Sequence, residues 1–353
     1  MNSDQGPVTV RLPELESYCS RILEASGVVP EEAPQVAKAL VWAEARGLVS
    51  HGVRLLPTYV RRFRAGLVRS PSAARLIRDH ACWSVIDGGN GFGPVVGNMA
   101  VKDGVRRASR HGISAVWVRN STHFGAAGYY AWQIAQQDLI GCALSNAFPT
   151  MAVWGAAEPA IGTNPIALSA PVGEGPPLLL DIASSVASRQ RINMARERGL
   201  PIPETWALDA DGRPTNNPEQ AAVLLPFGEH KGSGLAVFVE ILCAFLSGAA
   251  SRHEIGRLSS DFDRPEGVGH FFMAIDPNRI ADAEAYYARI RKTAAELRAL
   301  RPAEGTKRVL LPGDPKSAAE ESSISHGIQL SPRLAQELFD LGNTLGLPRP
   351  ETV

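Results

Sequence analysis

The spacing of apolar residues changes period twice along these 353 residues, and that change limits the fold more than any single motif does. Up to about residue 70 apolar positions recur at helical spacing, and Gly27, Gly47 and Gly66 end three helical stretches. The first runs from Leu12-Pro13 to about Ala25. Pro30 stands near the first turn of the second, where Glu31 and Glu32 suit the positive end of the helix dipole. That helix runs to Arg46, and a third, basic one covers about residues 55–64. From residue 79 short apolar runs take over. Cys82 to Ile86, Ile113 to Val118, Leu139 to Leu144, Ile166 to Ala170 and Leu178 to Ile182 read as strands. Helices to about Arg110, from Ala126 to Gln136 and from about Val186 to Arg198 interleave with them. After a Pro/Asn/Gly-rich loop through Pro218, helices return at Lys231 to Leu246 and at 278–300, around one strand, Gly269 to Ile275. The order predicts an α/β (α+β) chain. A mixed α/β domain with a central sheet, residues 79–229, sits between an α-rich segment 1–78 and an α-rich segment 230–353 that packs against the first.

Composition removes several function classes. Lys+Arg and Asp+Glu both number 36, so no global charge draws the chain to phosphate backbones or anionic membranes, and self-association meets little repulsion. With 44% hydrophobic residues the chain is not disordered. Cys19, Cys82, Cys142 and Cys243 are scattered among apolar neighbours with no C-x-x-C pair, which speaks against a zinc or dithiol site and for a reducing compartment. The first residues lack a signal-peptide pattern, and the apolar stretch Gly234 to Ala250 is short and interrupted by Glu240. A cytoplasmic protein with no nucleic-acid or membrane partner and no metal is expected.

Six motifs stand out. Asp87-Gly88-Gly89-Asn90-Gly91-Phe92-Gly93-Pro94-Val95-Val96-Gly97 follows a strand and opens a helix, but Gly91, Gly93 and Gly97 exceed the G-x-G-x-x-G spacing by one residue and no acidic residue ends the next strand. A tight turn accounts for these glycines better than a pyrophosphate cradle does. Ser50-His51-Gly52 links two helices, with Arg46 and Arg54 nearby, and Asn120-Ser121-Thr122-His123-Phe124-Gly125 ends a strand. Either histidine can exchange a proton near neutral pH, or simply cap a loop. Gly162-Thr163-Asn164-Pro165 presents Thr163 and Asn164 to a ligand or turns the chain. Asp181-Ile182-Ala183-Ser184-Ser185 offers a carboxylate for ribose hydroxyls and small polar groups for phosphate, or a helix cap. Gly228-Glu229-His230-Lys231-Gly232-Ser233-Gly234 places a lysine at a helix start without meeting the P-loop spacing.

In this order, joined by Ile202-Pro203, Trp206-Ala207-Leu208-Asp209, Gly212-Arg213-Pro214-Thr215, Gly269-His270-Phe271-Phe272, Ala274-Ile275-Asp276-Pro277 and Leu311-Pro312-Gly313-Asp314, the motifs resemble the malate/L-lactate dehydrogenase family. That family is unrelated to the Rossmann-type lactate dehydrogenases and includes sulfolactate and ureidoglycolate dehydrogenases, diketogulonate reductases and piperideine/pyrroline carboxylate reductases. The resemblance covers about residues 12–345. It implies a central NAD(P)-binding domain of non-Rossmann type, hydride transfer with NAD or NADP, and a homodimer with a shared active site. It also implies that His51 donates a proton to the substrate and that His123, beside the nicotinamide, has an acid/base role. Ser145, Asn146, Asp181, Ala183, Ser184, Ser185, Lys231, Gly232, Pro312, Gly313 and Asp314 would then contact the cofactor. Ser50, Thr163 and Asn164 would face the substrate or nicotinamide, and Arg54 is the nearest cation for a substrate carboxylate.

The chain departs from the family pattern at Val49, Leu55, Gln190-Arg191, Asn217, Glu229 and Ser233. The expected substrate is a small 2-hydroxy/2-oxo acid. A cyclic ketimine carboxylate and a catalytically silent, nucleotide- or metabolite-binding relative are the alternatives.

Overall fold

The computed structural model describes residues 6–353. β1 (Val8–Val10) leads into α1 (Leu12–Ala25), which buries Leu15, Tyr18, Cys19, Ile22 and Leu23 on one stripe against α2 (Ala33–Ala45). Residues 30–32 form a turn and Pro34, not Pro30, stands in the first turn of α2, where its missing N–H goes unneeded. α3 (Leu56–Arg64) completes the N-terminal helices. β2 (Arg75–Asp79), β3 (Trp83–Asp87), α4 (Gly93–His111), β4 (Ile113–Ser121), α5 (Ala127–Ala135), β5 (Ile140–Ser145), β6 (Ile166–Ala170) and β7 (Leu178–Ile182) follow. Next come α6 (Arg189–Glu197), the short pair β8 (Ala207–Leu208) and β9 (Val223–Leu224), and α7 (His230–Glu240), which runs into a π-helical turn over Ile241–Phe245. β10 (Val268–Ile275), α8 (Pro277–Ile280), α9 (Ala283–Arg298), α10 (Asp314–His326), β11 (Ile328–Leu330) and α11 (Pro332–Thr344) end the chain.

Seven strands form the main sheet in the order β2-β3-β4-β10-β5-β6-β7, and only β3 and β4 run parallel. β10 pairs antiparallel with β4 on one side and β5 on the other. The sheet is therefore not contained in residues 79–229: its middle strand comes from the segment expected to be α-rich. Val268 to Phe272 are buried without alternation, as in a strand covered on both faces, with α4 and α5 on one face and the π-helical turn on the other. A Cβ on Gly269 would collide with the Cys243 carbonyl, so a glycine lets that turn lie on the strand. The chain ends meet elsewhere: β1 pairs antiparallel with β11, Val8 opposite Leu330 and Val10 opposite Ile328, beside the helices of the first segment. Among the described residues no helix is long and apolar enough to cross a membrane.

Candidate active site

The glycine cluster at 88–97 seats a loop. A side chain on Gly88 would press on the Asn120 carbonyl, and one on Gly93 would collide with the Thr122 and His123 carbonyls. The Gly93 N–H donates to Thr122 Oγ1 at 2.9 Å. The residues after β4 are thereby held against the start of α4, which delivers His123.

His123 is clamped from several sides. Tyr59 Oη, from α3, lies 2.8 Å from its Nδ1, and the Gly125 N–H points at the same nitrogen from 3.3 Å. The His123 N–H donates to Glu266 Oε2 at 3.3 Å, and Glu266 in turn faces the buried Arg62, Nε to Oε2 3.4 Å. His51 arrives from the link between α2 and α3. Its ring lies nearly parallel to that of His123, centroids 5.7 Å apart at 17°, and its Nδ1 is 2.8 Å from Ser50 Oγ. Gly52 is a glycine because the buried Glu44 carboxylate passes under it to accept the Val53 N–H at 3.0 Å. Arg54 is exposed and has no ion pair among the described residues.

Burial governs the charges here. It lowers His51 to about 4, with Arg54 adding to the effect, and lowers His123 to about 3, helped by His51 and His270. Both rings are neutral at neutral pH in the free protein. Glu44 and Glu266 are each pushed up to about 7 by burial, against the Val53 N–H and Arg62 respectively.

His270, which the sequence shows only as part of Gly269-His270-Phe271-Phe272, has no role assigned by it. It is fully buried in β10, with Nδ1 2.9 Å from Ser145 Oγ, Nε2 2.9 Å from Ser121 Oγ, and its ring stacked on Phe124 at 4.2 Å. A histidine inside an apolar strand needs such partners, and the polar ends of two neighbouring strands were the signal available.

Other expected residues act from inside the fold. Asn164 is buried, and its amide donates to the Ala236 carbonyl and Glu240 Oε2 and accepts from the Ala147 N–H. Asn146 accepts from the Gly269 N–H and donates to Glu240 Oε1 and the Ala250 carbonyl. The side chains of both are therefore committed to shaping the loops they lie on. Ser145 serves His270 and the carbonyls of Asn146 and Gly269. Ser184 donates N–H and O–H to the Thr163 carbonyl, and Ser185 donates to that of Ala187. A Cβ on Gly232 would lie 2.5 Å from the Ser184 and Phe227 carbonyls, so the Lys231-Gly232 turn of α7 packs directly on the 184–185 loop. Lys231 is exposed, without an ion pair among the described residues.

Asp181, at the end of β7, opens on a cleft of about 220 Å³ lined by Trp42, Arg46, Leu179, Pro312, Gly313 and Lys316. Its carboxylate accepts the Gly128 N–H in the first turn of α5, five residues beyond His123. Asp314 instead pairs with Arg298 at 2.7 Å and holds the Leu311 N–H, fixing the turn that brings Pro312 and Gly313 to the cleft. Arg189 donates to the Ala221 and Ala222 carbonyls, and Arg191 stacks on Trp206. The Asp181 carboxyl is raised from 3.8 to about 6 by burial, against the pull of the Gly128 N–H, Lys316 and Arg46.

Unfolded Asp181 ionises from about pH 4, whereas the folded carboxyl holds its proton to about pH 6. Over that window it binds more protons folded than unfolded, so its contribution to stability declines as pH rises. Asp181→Asn should flatten this stretch of the Tm-against-pH curve and raise Tm at pH 7 in the cofactor-free protein. Identical slopes in variant and wild type would show that burial does not hold the proton.

Two neutral histidine rings thus lie face to face with Arg54 nearby, and the cleft at Asp181 is separate from the Gly88–Gly97 turn. With β10 antiparallel at its centre, the sheet lies outside the doubly wound parallel dinucleotide folds. A profile of the malate/L-lactate dehydrogenase family matches residues 10–339. Malate dehydrogenase of Pyrococcus abyssi is 35% identical over 355 residues, covering 98% of this chain and 97% of the relative. A (2R)-3-sulfolactate dehydrogenase (NADP(+)) of Chromohalobacter salexigens is 38% identical over 77% of this chain and 82% of its own. The solved malate dehydrogenase of Pyrococcus horikoshii OT3 superimposes with a TM-score of 0.89 at 32% identity, over 99% of both chains. The chain belongs to the malate/L-lactate dehydrogenase family and is an oxidoreductase.

Proposed function

We propose that the chain interconverts a small 2-hydroxy acid and its 2-oxo acid with NAD or NADP, in the cytoplasm and as a homodimer. The stacked His51–His123 pair beside the free Arg54 carries this reading. The half-buried Asp181 carboxylate suits a ribose diol, and the exposed Lys231, on a turn packed against Ser184 and Ser185, suits a phosphate, so the residues present fit a dinucleotide. When bound, the cofactor supplies or takes the hydride. The protein supplies the rest. Arg54 pairs with the substrate carboxylate, which neutralises the cation beside His51 and favours protonation of that ring. His51 then passes its proton to the substrate oxygen, and His123 contacts the same oxygen from the neighbouring ring. Four cysteines free of disulfides agree with a reducing compartment.

Turnover on a panel of 2-oxo acids and cyclic ketimine carboxylates, followed by NADH and NADPH absorbance, tests the reading. Reduction confined to the imines would replace the hydroxy-acid assignment, and cofactor binding without any turnover would favour a silent relative. Arg54→Ala is expected to raise KM for the acid about 10- to 100-fold, the loss of one charge-assisted contact, with a smaller change in kcat. An unchanged KM would remove Arg54 from the site.

Dimerisation is supported by one exposed apolar stretch. Leu235, Phe238, Phe245 and Leu246 are 42%, 66%, 61% and 58% exposed along α7 and the π-helical turn, adjoining Lys231 and Gly232. Sedimentation should show a dimer for the wild type and a shift to monomer for Phe238→Glu. A monomeric wild type would overturn the assignment.

A further inference from the structure

Two histidines meet the substrate oxygen in the reading above, and their surroundings differ in one decisive way. The imidazole Nδ1 of His123 meets the Tyr59 hydroxyl at 2.8 Å and one fixed donor, the Gly125 N–H, at 3.3 Å. A backbone amide cannot reverse its polarity. A proton on Nδ1 would therefore face the Gly125 hydrogen head-on, and the nitrogen must carry its lone pair there. The hydroxyl has a second acceptor, the His123 carbonyl at 3.1 Å, but the ring nitrogen is the nearer of the two. His51 has no such fixed donor. Its Nδ1 faces only the Ser50 hydroxyl, which gives or accepts with equal ease, so either tautomer fits.

We propose that Tyr59 is a positioning residue which, with the Gly125 amide, locks His123 as its Nε2–H tautomer, so that His123 meets the substrate oxygen as a neutral hydrogen-bond donor and His51 alone exchanges the proton.

The chemistry follows from the lock. To give up its Nε2 proton, His123 would have to become an imidazolate, or draw the Tyr59 proton onto Nδ1 and leave a buried tyrosinate. Glu266, whose carboxylate lies close enough to oppose negative charge on Tyr59, disfavours the second course, and burial pushes that phenol well up. Tyr59, His51 and His270 bring no negative charge that would stabilise an imidazolium, Glu266 is engaged by the His123 backbone N–H and faces Arg62, and burial lowers His123 to about 3. His123 therefore keeps its proton throughout. The negative charge that develops on the substrate oxygen is quenched by the proton of the His51 imidazolium, which returns to neutral imidazole. The roles rest on the dehydrogenase reading; the tautomer does not.

Long-range nitrogen–proton correlation spectra of protein carrying ¹⁵N-labelled histidine, assigned with His123→Gln, read the tautomer without turnover. A pyridine-type Nδ1 and a pyrrole-type Nε2 at neutral pH are expected, and a pyrrole-type Nδ1 would overturn the lock even if no substrate were found. Tyr59→Phe should shift both His123 nitrogens and lower kcat roughly 10-fold, a modest case of the loss seen when a catalytic histidine loses its orienting partner. KM for the acid should stay within about twofold, as befits a group acting only in the transition state. Unmoved nitrogens and an unchanged kcat would remove Tyr59 from the assignment. Glutamine retains a neutral N–H donor but carries no proton, so His123→Gln should keep far more activity than His51→Gln. The reverse order would overturn the division of roles.

Discussion

Replacing His51 with alanine is expected to lower kcat by about 10²–10⁴-fold, the usual worth of a positioned general acid, while cofactor affinity changes little. The ring lies at the link between α2 and α3, stacked on His123 and beside Arg54, whereas the groups that suit a dinucleotide lie at the end of β7 and the start of α7. Truncation removes no buried hydrogen-bond partner except the Ser50 hydroxyl, which is itself only half-buried, so folding is spared. Stopped-flow traces at saturating substrate give the rate, and fluorescence titration of NADH or NADPH gives the affinity. Added imidazole should restore part of the rate by occupying the vacated space. A variant that turns over at the wild-type rate would end the assignment of His51 as proton donor.

The second large effect is on stability. Glu240 closes α7, is 2% exposed, and accepts from Asn146 Nδ2, Asn164 Nδ2 and the Arg252 N–H at 3.3, 2.9 and 3.0 Å. Three separated loops meet on one carboxylate. Glu240→Leu preserves the volume but strips an acceptor from two buried amides and the part-buried Arg252 N–H, and a loss of about 3–5 kcal/mol is expected. Glu240→Gln keeps the shape yet turns one oxygen into a donor facing other donors, so it should still lose about 1–3 kcal/mol. Urea midpoints measure both. A leucine variant as stable as wild type would mean that the network contributes specificity without stability. Turnover should fall along with folding, because the loops carrying Thr163 and Asn164 and the turn after β5 share this anchor.

Much of the site was legible because its chemistry is local. Ser50-His51-Gly52, the His123 loop and the Asp181 strand end are each a short run whose residue types already limit what it can do. Other features were hidden by their dependence on distant partners. Tyr59 reads as one apolar position of a basic helix until the fold sets it against His123, 64 residues away. Glu240 reads as an interruption in an apolar helix, His270 as a polar residue in a strand, and Asn164 as a residue that meets a ligand or turns the chain. Each proves to be a buried polar group with a partner more than 70 positions distant.

Periodicity, turn residues and the order of the motifs determined by themselves the element types, the mixed α/β class and the family, since these depend on neighbours within a few residues. Tertiary structure alone decided that β10 enters the middle of the sheet, that β1 and β11 close the chain on itself, and that Gln190-Arg191 and Arg189 belong to the neighbourhood of the 206–222 loop. It also decided which histidine is held in one tautomer. Strand order and tautomer are set by hydrogen bonds between residues far apart in sequence, and no local pattern encodes their partners.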